Sequence, residues 1–261
     1  MRSLSIGATG MLAQQLNVEV ISHNIANLNT TAFQRRRPEF QDLLYQNLRR
    51  VGSNSSDAGT IVPAGVQVGL GVRTAAVYRI TEQGNLTLTE NPLDVAINGN
   101  GYFQVDLPNG DTAYTRAGSM QLDADGQIVT VDGFSVDPGL TVPQNAIDIS
   151  INASGEVLVS LDGQTAPQNI GQFQLATFPN EAGLIAVGDN LFLETPASGT
   201  PVSGTPGSTG FGTLQQGFLE TSNVNVVEEI TNLISAQRAY EMNSKVIETS
   251  DQMMQTVSNI R

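Results

Sequence analysis

At both ends of this 261-residue chain, residues recur at alternating steps of three and four. The first stripe runs through Leu4, Gly7, Met11, Gln14, Val18, Ile21, Ile25 and Leu28. The second runs through Val226, Ile230, Leu233, Gln237, Tyr240, Ser244, Ile247, Asp251 and Met254. A 3-4-3-4 spacing lays residues along one narrow seam of a helix, the geometry of a coiled-coil contact. Neither helix has a partner nearby in sequence, so the available partners are each other and the same helices on neighbouring copies. Polar members of the stripes, Gln14, Gln237, Ser244 and Asp251, weaken an isolated pair and leave room for neighbours to complete the layer. An ordinary intramolecular helical hairpin would give the same stripes.

The spacing predicts a helix over 3–28, about 38 Å long, with Ser3 at its N-cap, and a second over 224–259, about 54 Å long. For the second, Ser222 or Asn223 is the expected cap. Glu228 and Glu229 stand in its first turns, where the helix dipole favours negative charge. The segment Glu39–Tyr45 reads as one or two amphipathic turns. Residues 46–72 read as an extended, Gly-punctuated arm or hairpin-like loop that ends in the alternation Val66, Val68, Leu70, Val72 and also carries Val62. From 75 to about 193 short apolar segments alternate with Asn-Gly, Asp-Gly and Ser-Gly turns at about ten-residue spacing, the pattern of an antiparallel β-domain. Pro196–Gly212 is a low-complexity linker or mobile loop. The expected class is therefore α+β: terminal helices in a coiled-coil-like layer, a β-rich middle forming an irregular sandwich or barrel, and an arm. The expected division is 1–32 with 222–261 as the helical domain, 33–75 with 211–221 as the connection and arm, and 76–210 as the β-domain.

Composition narrows the chemistry. Cysteine is absent, which removes disulfides, thiol catalysis and thiolate metal sites. Aromatics make up 5 % and tryptophan is missing, so a thick aromatic core is not expected. The net charge of −13 is unevenly placed. Residues 1–50 hold six arginines against three acids, residues 211–261 hold three bases against six acids, and the middle holds three bases against sixteen acids. An acidic chain of this kind is a poor partner for nucleic acid. No apolar run suits a cleaved signal or a membrane span.

Residues that could carry catalysis fail on their surroundings. His23, the single histidine, lies on the first helical stripe among Ser22, Asn24 and Asn27, where packing or capping suits it better than a Ser-His-Asp relay. Asp123-Ala124-Asp125-Gly126 imitates a calcium loop, but the positions needing Gly and a carboxylate hold Ile128 and Phe134. Gly69-Leu70-Gly71 and Gly99-Asn100-Gly101 lack the third glycine of a dinucleotide site and read as turns. Arg35-Arg36-Arg37 fits a solvated basic turn that pairs with acids on a neighbouring subunit better than a phosphate or membrane site. No catalytic residue, metal or cofactor is expected. A secreted enzyme or calcium-dependent binder built on the β-domain is the distant alternative.

Several motifs are also familiar. Asn24-Ile25-Ala26-Asn27-Leu28-Asn29-Thr30-Thr31-Ala32-Phe33 resembles the N-terminal signature of the bacterial flagellar rod and hook proteins. Ser222-Asn223-Val224-Asn225 with Gln237-Arg238-Ala239-Tyr240-Glu241-Met242-Asn243-Ser244-Lys245 resembles their C-terminal signature. Ile97-Asn98-Gly99-Asn100-Gly101-Tyr102-Phe103 and Tyr114-Thr115-Arg116-Ala117-Gly118-Ser119-Met120 are similar to motifs of their β-domain. Ala32 and Met120 depart from the residues the family often has, Gly and Phe. The resemblance implies a subunit exported without a cleaved signal by the flagellar type III apparatus. It also implies assembly with copies of itself, with proximal rod proteins, with the hook protein and within the periplasmic and outer-membrane rings. The seam residues Leu4, Met11, Val18, Ile21, Ile25, Leu28, Val226, Ile230, Leu233, Tyr240, Ile247 and Met254 would then be subunit contacts, as would Val62, Val66, Val68 and Leu70 of the arm. The arm and the length separate the straight-shaft branch of the group from its proximal-rod and hook branches.

Overall fold

The computed structural model describes residues 2–50, 64–163 and 166–259. Its architecture is α+β, with one helix at each end and antiparallel sheets between them. The chain divides into a helical unit (residues to Ala26, Arg36–Arg79 and from Asn225) and a β unit (Asn27–Arg35 and Ile80–Val224).

In the helical unit, α1 spans Arg2–Ala26 and α2 spans Val226–Asn259. Ser3 lies inside α1, because the helix is already formed at Arg2. The cap of α2 is Asn225, whose Oδ1 accepts from the Val227 and Glu228 amides at 3.1 and 3.5 Å. Ser222 and Asn223 fall too early to reach the orphan amides of the first turn. The helices run antiparallel: Gly7 lies against Ile247, Gly10 against Asn243, and Asn24 against Glu229. Asn24, 1 % exposed, accepts from the Arg36 amide and donates to the Arg36 carbonyl, both at 2.8 Å. One side chain thus satisfies the backbone where the chain re-enters the unit.

Glu39–Tyr45 is not helical: Arg36–Asp42 is a strand paired with Val72–Arg79. A single helical turn gains too little to offset its nucleation cost, whereas this partner is rich in β-branched and aromatic residues and supplies a full ladder. The ladder continues through Leu43 N to Gly71 O and Leu70 N to Leu44 O, then into the pair Tyr45–Arg49 with Val66–Gly69. The result is one two-stranded ribbon, residues 36–49 against 66–79, about 46 Å long at 3.3 Å per residue. Gly71 permits the ribbon to touch α1. At φ +124 its backbone suits glycine, and a Cβ there would strike Thr9 Oγ1, which accepts from the Val72 amide at 3.4 Å. Val62 lies outside the described residues.

The β unit holds nearly all of the apolar core. Its largest sheet has nine antiparallel strands, with Tyr102–Asp106 at a branch point pairing Thr112–Thr115, Ser135–Val136 and Leu175–Thr177. Alternation sends successive side chains of the central strand to opposite faces. Phe103 and Val105 enter a cluster with Val95, Ile97, Phe173 and Leu175, while Tyr102 joins Tyr114, Phe178 and Phe192. The few aromatics are concentrated here, contrary to the core expected from composition: Tyr114 meets Phe178 edge-on at 4.7 Å and Phe103 meets Phe173 at 6.1 Å. Pro196–Gly212 is ordered rather than a free linker. Val202–Gly204 pairs with Leu175–Thr177, and the buried Ser198 hydroxyl bonds Thr195 and Gly199 carbonyls. Composition alone misleads there because backbone pairing and Ser/Thr turn bonds, not apolar content, fix the segment.

A buried ion pair ties this unit together. Arg116 Nη2 lies 2.9 Å from Glu220 Oε2, with both side chains under 5 % exposed. The guanidinium also donates to the Gly99 and Gly101 carbonyls and lies over the Tyr102 ring. Glu220 Oε1 accepts from the Gly84 amide, and the Glu220 carbonyl from the Ala32 amide. We expect Arg116→Ala to destabilise the β unit by about 3–5 kcal/mol, since it strands a buried carboxylate and two carbonyls. Denaturant unfolding followed by tyrosine fluorescence checks this; a loss below about 1 kcal/mol would show that the pair is dispensable.

Candidate assembly surface

The seam between α1 and α2 combines small residues with Val20, Ile21, Asn24 and Glu229. Gly7, Ala13, Val20, Ile21 and Asn24 are buried on α1, and Glu229, Ala236 and Ser250 on α2. Glycine at 7 and 10 sets the spacing: a Cβ at either would come within 2.9 Å of Ile247 or Asn243. The buried positions of α2 fall on a seven-residue period (229, 236, 250), with Asn243 half-buried at the intervening place and Leu233 and Ile247 half-buried between them. Relative to the expected seam, the helix is turned so that Ala236 faces inward rather than Gln237, and Ser250 rather than Asp251. Smaller side chains let the two backbones approach.

This placement sorts the expected contact residues. Ile21 is buried; Leu4, Met11, Val18, Ile25, Leu28, Val226, Leu233 and Ile247 are half-buried; Ile230, Tyr240 and Met254 are exposed. On the ribbon Val68 is half-buried, while Val66 and Leu70 are exposed. Sequence reading missed a second apolar stripe on α2: Val227, Ile234, Met242 and Val246, which with Ile230 of the expected seam are each at least 45 % exposed. Met253 and Val257 extend it into the end of α2. The signal was present, since these residues also step by threes and fours or by eight, but the first stripe concealed it. A shallow groove between Gln15, Val18 and Glu19 of α1 and Gln237, Tyr240 and Glu241 of α2 adds to this surface. On the ribbon Leu44, Tyr45, Leu48 and Val77 are exposed too. By contrast, the apolar residues buried in this unit among the described residues are Ala13, Val20, Ile21 and Ala236. A unit that exposes more apolar surface than it buries carries a binding surface.

Nothing in this surface resembles a reaction centre. His23 is exposed in the last turn of α1, and partial burial of its ring together with the Arg36 charge holds its pKa below the usual value. Among the described residues no group of three or more His, Asp or Glu side chains converges as metal ligands, and no helix is long and apolar enough to cross a membrane.

The comparisons with known proteins follow the same geography. Residues 4–34, covering most of α1 and the turn after it, match the family model "Flagella basal body rod protein". Residues 96–159 of the β unit match "Flagellar hook protein FlgE/F/G D1 domain", and residues 215–260, with all of α2, match "Flagellar basal body rod FlgEFG protein C-terminal". The chain is 62 % identical over 261 residues to a flagellar basal-body rod protein FlgG of Caulobacter vibrioides, covering both chains in full. It is 53 % identical to the FlgG of Agrobacterium fabrum over 99 % of this chain and 98 % of that one. It is 39 % identical to the FlgG of Bacillus subtilis over 100 % and 99 %. With small-residue helix packing at its two ends, an ordered β unit between them and full-length identity of this order, the chain belongs to the flagellar basal-body rod protein family.

Proposed function

We propose that this chain is the structural subunit of the distal rod of the bacterial flagellum. It polymerises with itself into a hollow, rigid shaft that spans the periplasm, carries motor torque to the hook and lets exported subunits pass. The observation that carries this reading is the stripe Val227, Ile230, Ile234, Met242 and Val246, which α1 leaves exposed. Helices packed through small residues hold each other loosely, and the remaining apolar face gains most when neighbouring copies cover it. The half-buried seam residues Leu4, Met11, Val18, Ile25, Val226, Leu233 and Ile247, with exposed Tyr240 and Met254, form the rest of the helical contact layer; Leu28, expected on the same seam, follows the end of α1 and belongs to the β unit. Full-length similarity to proteins named FlgG supports the distal rod over the proximal-rod and hook branches. In this reading the partners are copies of the chain, the proximal rod and hook proteins that cap the shaft, the surrounding rings and the flagellar export apparatus. The work is mechanical, with no bond chemistry and no cofactor.

The ribbon is assigned the task of stiffening. An isolated two-stranded ribbon is marginally stable in water, and Leu44, Leu48, Val66 and Leu70 are exposed on this one. With Val68 they form a surface that packs on adjacent subunits and blocks axial sliding.

Two measurements test these assignments. The double variant Ile230→Asp, Ile234→Asp leaves the small-residue seam intact and should keep the circular dichroism of the native chain. Its polymer should vanish from sedimentation and electron micrographs, because each subunit would bury two unpaired carboxylates at a cost of several kcal/mol. Rods of normal yield would remove the stripe from the contact layer. Leu44→Ser, Leu48→Ser and Leu70→Ser together should leave subunits that polymerise into curved or fragile rods, and straight rods of unchanged rigidity would take the stiffening role from the ribbon.

A further inference from the structure

Cysteine is absent, so the six methionines hold all of the sulfur in this chain. The fold sorts them sharply. Met120 is 3 % exposed, packed in the β-unit cluster with Val95, Phe103 and Ile128. Met11 is half-buried on α1, and Met1 lies outside the described residues. Met242, Met253 and Met254 all stand on α2, and they are 64 %, 61 % and 39 % exposed. Solvent-borne reagents therefore meet thioethers on one helix and not in the β core.

The packing of the helical unit accounts for this exposure. Ile247 lies against Gly7, and α1 begins at Arg2, five residues before that glycine. α2 continues twelve residues past Ile247 to Asn259, so Met253 and Met254 stand where it has outrun its partner. Met242 precedes Val246 by one turn, and Met253 precedes Val257 by one turn, so each thioether has an exposed valine as its neighbour on the helix surface. A thioether belongs on such an apolar surface because it is neutral, polarizable and weakly hydrated. A sulfoxide does not: its oxygen is a polar acceptor, and a valine side chain has no donor to offer it.

We propose that Met242, Met253 and Met254 form a reversible oxidation site on the assembly face of α2, through which a hydroperoxide bars the free subunit from the polymer, an inference that rests on the polymer reading above. The thioether sulfur attacks one peroxide oxygen, an S–O bond forms as the O–O bond breaks, and sulfur gives up two electrons. With hydrogen peroxide the departing hydroxide takes the proton left on the transferred oxygen, so the products are one sulfoxide and one water. Reversal consumes two thiols, which become a disulfide as the sulfoxide oxygen leaves in water. Having no cysteine, the chain depends on an external thiol-dependent sulfoxide reductase for that step. The enclosed Met120 leaves the β unit intact in either state.

Peroxide treatment of the full chain, with the oxidised sites read by mass spectrometry, tests this. Met242, Met253 and Met254 should each gain one oxygen while Met120 stays reduced. The critical concentration for polymerisation should rise about tenfold, because each sulfoxide would be buried among apolar side chains. Melting of the β unit should not change. A pair of methionine sulfoxide reductases, one for each sulfoxide epimer, supplied with dithiothreitol should restore assembly. The variant Met242→Leu, Met253→Leu, Met254→Leu keeps the apolar volume and should polymerise alike before and after peroxide. Rods assembled first should keep the three thioethers reduced under the same treatment. Oxidised native chain that polymerises like untreated chain would overturn the proposal. So would loss of assembly that the three leucines do not prevent, or rods whose methionines oxidise as fast as those of the monomer. If the leucine variant assembles poorly even untreated, reductase treatment of the oxidised native chain decides: recovery upholds the site and no recovery overturns it. Untreated native chain separates the two ideas: no polymer sinks the rod reading with this one, whereas native polymer beside indifference to peroxide sinks only the oxidation site.

Discussion

One guanidinium organises most of the β unit. Arg116 is the only base between residues 80 and 224, and burying it is costly unless each of its donors finds an acceptor. It reaches Glu220 with one edge and the Gly99 and Gly101 carbonyls with the other, so three stretches distant in sequence are fixed around one planar group. Those glycines adopt φ +113 and +143, which lets the loop turn its carbonyls inward, and a Cβ at Gly101 would crowd Leu175. Tyr102, next in sequence, receives the face of the same guanidinium and passes order into the second aromatic cluster. The loop motif Ile97–Phe103, the motif Tyr114–Met120 and the strand Phe218–Glu220 are thus one structural device.

Asparagine does the corresponding work where the chain passes from one unit to the other. Asn24 serves the backbone of Arg36 in the helical unit, and Asn223 serves Arg35 in the β unit. Asn223 Oδ1 accepts from the Arg35 amide at 2.7 Å, while its Nδ2 donates to the Ile80 and Glu82 carbonyls. An amide side chain offers a donor and an acceptor in the geometry of a peptide group, so it can stand in for a missing strand partner. This accounts physically for Asn24 and Asn223 standing inside the terminal signatures: both substitute for sheet backbone, Asn223 in place of the helix-capping role expected of it.

The sequence made the helices and hairpins legible because both are local. Heptad spacing placed α1 and α2 within two or three residues of their ends, and the turns at Asn109-Gly110, Asp125-Gly126, Asp132-Gly133 and Ser154-Gly155 all have glycine at positive φ. Features that depend on contacts across long sequence separations were not legible. The strand Arg36–Asp42 acquires its character from Val72–Arg79, and Val202–Gly204 from Leu175–Thr177. Which residue of each adjacent pair on α2 faces α1 depends on how close the backbones come. That distance is set by Gly7 and Gly10 on a helix more than 200 residues away. Periodicity therefore located the stripe and erred by one residue on alternate turns.

Those glycines also explain why the helical unit is built to be incomplete. Close approach at positions 7 and 10 seats Ile247 and Asn243 against the glycines, while Val227, Ile234, Met242 and Val246 stand on the exposed flank of α2. Ordering a residue costs about 1–2 kcal/mol in backbone entropy, and a seam whose buried apolar side chains are Ala13, Val20, Ile21 and Ala236 offers little apolar area against that over helices of 25 and 34 residues. α2 is the longer by nine residues, which carries Met253, Met254 and Val257 towards its C-terminal end with large exposed fractions. The β unit, with Phe103, Phe173 and Leu175 fully enclosed, has a core of its own. The packing distributes burial unequally: the β unit encloses its core in a single copy, and in the assembly proposed above the helical unit gains burial as further helices cover its flanks. A subunit of this kind can be ordered in the middle before assembly and acquire the stability of its ends from the polymer, which couples the folding of the helical layer to growth of the shaft.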